Sequence, residues 1–68
     1  MENAKEAIER AGGEYLGSVL IENKGELHQF NDPVTHSTLA MWDCQILCVN
    51  DVIAKMALHR KKFAEASA

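Results

Sequence analysis

The stretch Tyr15–Phe30 reads YLGSVLIENKGELHQF, and its Asn23-Lys24-Gly25 constrains the fold more than any other part of the chain. Tyr15, Val19, Leu20 and Ile21 suit a pleated strand, because β-branched and aromatic side chains fit that surface. Asn-Lys-Gly then supplies a turn in which Gly25 is free to take positive φ. Glu26 to Phe30 is the return strand, so the segment predicts a β-hairpin. Its first strand carries Leu16, Val19, Leu20 and Ile21 on both faces, without the clean alternation of a solvated outer face. One face is expected to pack on helices, and part of the other to meet a second subunit or a covering loop.

Asn31-Asp32-Pro33 marks the next turn, since the residue before proline is driven to extended geometry. Thr38–Trp42 follows as a third strand, with Leu39 and Met41 on one face and Thr38, Ala40 and Trp42 on the other. Sequential strands usually lie side by side, which predicts a three-stranded antiparallel meander.

Helices flank the sheet. Asn3 reads as an N-cap, with Glu6 placed three residues later for a capping box. Ala4, Ala7, Ile8 and Ala11 form one apolar stripe before Gly12-Gly13 ends the helix. A stripe so short and alanine-rich does not hold as an isolated helix. Residues 43–49 have two readings: Asp43 caps a long helix from Cys44, or the chain crosses in irregular or short helical form and Asn50 caps the next helix. The second is preferred, because Asn50 and Asp51 are poor helix formers inside a helix but suit its start. From Asp51 to about Ala66, Val52, Ile53, Met56, Ala57, Phe63 and Ala64 trace an apolar face, and the EASA tail is expected to fray. The fold class predicted is α+β, in the order α-β-β-β-α, with both helices on one face of the sheet.

At 68 residues the chain is one domain, spanning 1–68, and a domain this small gains stability from disulfides, a metal or a partner subunit. Together with the apolar surplus of the first strand, this predicts a homodimer. Its interface would be the uncovered sheet face, or Phe63 and Met56 on the long helix. The longest apolar runs, Val19-Leu20-Ile21 and Leu39-Ala40-Met41 extended by Trp42, fall far short of the ~20 residues that a bilayer span needs. No signal-peptide pattern opens the sequence, and a cytoplasmic setting is the expectation. The net charge is −3, and it is uneven: residues 1–34 hold seven acids and three bases, residues 35–68 three acids and four bases.

Four chemistries compete for the polar residues. Cys44 and Cys48, with His28, His36 and His59 elsewhere, raise zinc, but a single Cys-x-x-x-Cys pair without a second pair lacks the spacing of a structural site. The two cysteines and Leu47 are expected to pack beneath Trp42 instead, and neither a metal nor another cofactor is assigned. Cys44 or Cys48 with His36 and Asp43 supplies the residue types of a nucleophilic site, yet a chain this short leaves little interior for a pocket. His59, Arg60, Lys61 and Lys62 could contact phosphates, though positive charge at a helix C-terminus also suits the dipole. Thr35 to Thr38, including His36, could form a recognition edge near Trp42. Trp42 reads either as the keystone of the core, which is preferred, or as an interface anchor.

The functional expectation is a non-enzymatic protein-interaction module. Its type is a small regulatory or inhibitory accessory protein, of the kind common in phages and mobile elements, that binds a protein partner as a homodimer. Thr35, His36, Trp42, Glu14, Glu22 and Glu26 are the candidate partner contacts, with the acidic first half facing a basic surface. The alternative is a nucleic-acid-binding dimer using His59, Arg60, Lys61 and Lys62.

Overall fold

A computed structural model describes residues 2–67. Helix α1 spans Ala4–Arg10, strand β1 Glu14–Ile21, β2 Gly25–Asp32 and β3 Ser37–Trp42; a 3-10 turn at Asp43–Gln45 leads to helix α2, Val49–Ser67. The sheet is an antiparallel meander in the order β1-β2-β3. The α-β-β-β-α order and the meander therefore stand as the sequence predicts.

Local chemistry accounts for the element ends. Asn3 Oδ1 accepts the Glu6 amide at 2.8 Å, the expected cap of α1. The β1–β2 turn places Asn23 at φ 66° and Gly25 at φ 109°, both in the left-handed region that Asn and Gly tolerate. Strand β2 runs past Phe30 to Asp32, two residues beyond the predicted end. Within β1 the register slips between Tyr15 and Gly17, a bulge that inserts Leu16 as the extra residue. Gly17 carries φ 131° there, a conformation that residues with a Cβ rarely adopt.

The register fixes what each face carries. Tyr15 pairs with Phe30 and Phe30 with Leu39, while Ser18 pairs with His28 and His28 with Met41. These side chains share the inner face. Ala7 and Ile8 of α1 and Val52 and Met56 of α2 join Phe30, Leu39 and Met41 in the buried core, with Ala11, Tyr15 and Ile46 packed against it. Both helices thus cover one face, as expected. The molecule is only 17 Å across its shortest extent, about the depth of one sheet and one helix layer.

Several details differ from expectation. Helix α2 starts at Val49, so Asn50 is not its cap; the Asp51 carboxylate instead accepts the amides of Leu47 at 2.8 Å and Cys48 at 3.1 Å. A carboxylate reaches back to amides ahead of the helix more readily than an amide side chain outcompetes it. The helix continues to Ser67 and Ala68 lies outside the described residues, so no frayed EASA tail is observed among them. Of the apolar face predicted for α2 only Val52 and Met56 are buried; Ile53, Ala57, Phe63 and Ala64 are exposed. Cys44, Leu47 and Cys48 are exposed too, and none packs beneath Trp42.

Candidate interaction face and buried polar clusters

Trp42 lies on the side of the sheet that no described helix covers. It pairs with Leu27, and Leu27 with Val19, so the three form one row across all three strands. Ile21 and Gly25 make the next row on one side, and Gly17, Gln29 and Ala40 the next row on the other. Beyond these, Asn31 stands between Glu14 and Thr38, with the Thr38 hydroxyl donating to Asn31 Oδ1 at 2.9 Å. Glu14, at the rim, is the one charged side chain among these outer-face positions. In a chain that is 25% charged, an open sheet face with an uncharged centre is a marked departure from a solvated surface. Val19 is 47% exposed, and Trp42 and Leu27 are half-buried only by their neighbours. The preference for Trp42 as core keystone is therefore corrected: the β3 alternation sends Leu39 and Met41 inward and Trp42 outward.

On the inner face, five polar side chains meet. His28 is 5% exposed. Its Nε2 is 2.9 Å from Asp43 Oδ1 and its Nδ1 is 3.0 Å from the Tyr15 hydroxyl. An ionised carboxylate only accepts, so Nε2 carries the hydrogen, and in the neutral ring Nδ1 accepts from Tyr15 O–H. Glu26 Oε1 stands 3.8 Å from His28 Nε2, while Glu26 Oε2 accepts the Ser18 hydroxyl at 2.6 Å.

A second cluster ties the β2–β3 turn to α2. Asp32 is fully buried and accepts Arg60 Nη2 on Oδ1 at 2.7 Å and Arg60 Nε on Oδ2 at 2.9 Å. The Val34 amide and Thr35 hydroxyl donate to the same carboxylate at 3.0 and 3.3 Å. The Arg60 hydrogen bonds hold the Asp32 carboxyl down to about 2, against the opposing pull of burial. Thr35 Oγ1 also lies 2.9 Å from His59 Nε2, and the His59 ring is tilted against Phe63 at 5.9 Å.

The residues singled out in the sequence do not converge. Trp42 and Glu14 share the uncovered face. Glu22 projects from the β1–β2 turn, and Glu26 belongs to the His28 cluster. Thr35 is spent on Asp32 and His59. His36 is exposed at the β2–β3 turn with φ 58°, its amide donating to the Asp32 carbonyl at 2.8 Å. In the basic run, His59 and Arg60 are engaged, and Lys61 and Lys62 are exposed. A hollow of about 130 Å3 beside them is lined by Leu39, Lys55, Leu58, His59 and Lys62. Sequence reading missed the Tyr15–His28–Asp43 chain and the Asp32–Arg60 pair. The first had one signal: His28 and Phe30 alternate on one strand face, which places the imidazole inward.

No described helix is long and apolar enough to cross a membrane. Searches of family models, curated proteins and solved structures return no match to this chain.

Proposed function

We propose that this protein is a non-enzymatic interaction module that works as a homodimer, two copies meeting through the uncovered faces of their sheets. The row Val19–Leu27–Trp42 carries this reading. An apolar row open to water costs about 25 cal/mol for each Å2 it exposes, and a partner surface removes that cost. The occupant of the face is a second copy for two reasons. Its centre is uncharged, so two copies meet there without like-charge repulsion, whereas most other surfaces of this acidic chain would bring carboxylates together. The face is also self-complementary: Trp42 stands one row from Gly17 and Ala40, and the space above Gly17 is open, with nothing within 4 Å of a Cβ placed there. Under two-fold symmetry each indole can lie over the small residues of the other copy.

Size sets the strength of the contact. Three strands ~4.8 Å apart and eight residues at ~3.3 Å rise give a footprint of roughly 14 by 26 Å. Two such footprints total about 730 Å2, below the ~1,000 Å2 of a stable specific interface, which places the contact in the weak, concentration-dependent class. With that face occupied, Glu9 and Glu22 remain on the outside and Glu14 stands at the rim, to engage a basic protein surface as a regulatory accessory protein would. The hollow beside α2 is below the ~300 Å3 at which ligand pockets begin, which favours binding over catalysis. Phosphate contact through α2 draws less support, because Arg60 and His59 are already committed to Asp32 and Thr35. Met56 is buried in the core, so the sheet face is preferred to the Phe63–Met56 surface as the interface. Comparing the wild type with Val19→Lys by light scattering tests the reading. A wild-type dimer and a monomeric, folded variant support it; equal masses reject it.

A further inference from the structure

We propose that Glu26, His28 and Asp43 form a binding site for a divalent transition-metal cation of the zinc class. One ligand atom from each residue lies within 4.8 Å of the others. Two edges of that triangle, at 2.9 and 3.8 Å, run from His28 Nε2 to Asp43 Oδ1 and Glu26 Oε1. Tetrahedral zinc with nitrogen and oxygen ligands at ~2.0–2.2 Å requires ligands roughly 3.3–3.5 Å apart. The two known edges bracket that value, and modest rotation of two carboxylates that reach solvent brings all three donors into place.

The surroundings are those of a metal site as well. Metal-bound imidazoles use their second nitrogen in a hydrogen bond that fixes the ring, and ligating carboxylates are themselves hydrogen-bonded. Tyr15 fills the first role at His28 Nδ1, and Ser18 fills the second at Glu26 Oε2. The identity of the Tyr15 group matters. A metal on Nε2 displaces that hydrogen and leaves the neutral ring protonated on Nδ1. A hydroxyl accepts from Nδ1–H as readily as it donates to bare Nδ1, so Tyr15 serves both tautomers. One imidazole and two carboxylates suit zinc better than calcium or magnesium, which take oxygen ligands alone. Three protein ligands leave a fourth position for water. The cation enters from the side of Glu26 and Asp43, whose side chains are 44% and 60% exposed.

The test is calorimetric titration of Zn2+ into protein carrying Cys44→Ser and Cys48→Ser, which removes the exposed thiols as competitors. One Zn2+ per chain is expected, weakened at least tenfold by Glu26→Gln and by Asp43→Asn. Tyr15→Phe is expected to weaken it by about tenfold, the usual effect of losing an outer hydrogen bond to a metal ligand. Glu26 and Asp43 reach solvent, so these two variants keep the fold even where a change at buried His28 would not. Absence of binding, binding indifferent to both carboxylate variants, or binding seen only when the cysteines are present would each overturn the assignment.

Discussion

Arg60 holds Asp32 with both ends of its fork, Nη2 on Oδ1 at 2.7 Å and Nε on Oδ2 at 2.9 Å, across the gap between the C-terminal helix and the end of β2. The carboxylate is fully buried, while the Arg60 side chain is 39% exposed. The pair is therefore unequal: Arg60 can turn to water, and Asp32 cannot.

That inequality predicts asymmetric mutational costs. Arg60→Ala strands the buried Asp32 charge and is the costlier of the two changes. Asp32→Asn keeps one acceptor oxygen, which serves the Val34 amide, and puts an NH2 in place of the oxygen that accepts from Thr35 and Arg60 Nε; losing the charge-assisted part costs about 1–3 kcal/mol. Chemical denaturation of the two variants checks the order. For a chain this size each kcal/mol lowers Tm by roughly 4–8 °C.

Acid dependence follows from the same pair. The Asp32 carboxyl is held at about 2, below its ordinary value of 3.8. A depressed folded-state value means that the unfolded chain binds the proton first as pH falls. The stabilisation is complete above about pH 5 and drains away between about pH 4 and pH 2. Melting curves across this range should show the loss in the wild type, and a shallower loss in Asp32→Asn.

Gly13 sits where the chain leaves α1 against the core. A Cβ there would stand 2.9 Å from Ile8 Cγ2 and 2.9 Å from Phe30 Cδ2, both on fully buried residues, and 3.3 Å from the Ile8 carbonyl oxygen. Gly13→Ala is expected to destabilise by about 1–3 kcal/mol through overpacking. Thermal unfolding of that single variant measures it.

The hairpin, the third strand and both helices were legible because each rests on local chemistry: the Asn23–Gly25 turn, the Leu39/Met41 alternation, the Asn3 cap and the Val52/Met56 spacing. Trp42 shows where local reading stops. Its alternation with Met41 was visible, but which side of the sheet the helices would cover depends on the hand of the connections, and size alone favoured placing a tryptophan inside. The polar clusters were hidden for a similar reason. Asp32 and Arg60 are 28 residues apart in sequence, and His28 and Asp43 are 15 apart; no periodicity links them. Cys44 lies in the 3-10 turn, where Asp43 reaches His28 and Gln45 Oε1 accepts the Trp42 amide at 2.9 Å, and Cys48 lies in the bend after it.

The outer row makes its own prediction about stability. If Val19, Leu27 and Trp42 are covered only in the dimer, unfolding is linked to dissociation and Tm rises with protein concentration. Val19→Lys should abolish that dependence while costing the isolated subunit little, because an exposed outer-face position seldom matters by more than about 0.5 kcal/mol.

Trp42, the chain's only tryptophan, reports on the central claim without a label. Its fluorescence emission should be measured across a thousandfold range of protein concentration centred on the micromolar, beside the sedimentation coefficient of the same samples. A blue shift that tracks conversion from monomer to dimer, absent in Val19→Lys, is the predicted result. An emission maximum that stays fixed while the protein remains monomeric, or while it dimerises, would contradict the sheet face as the interface.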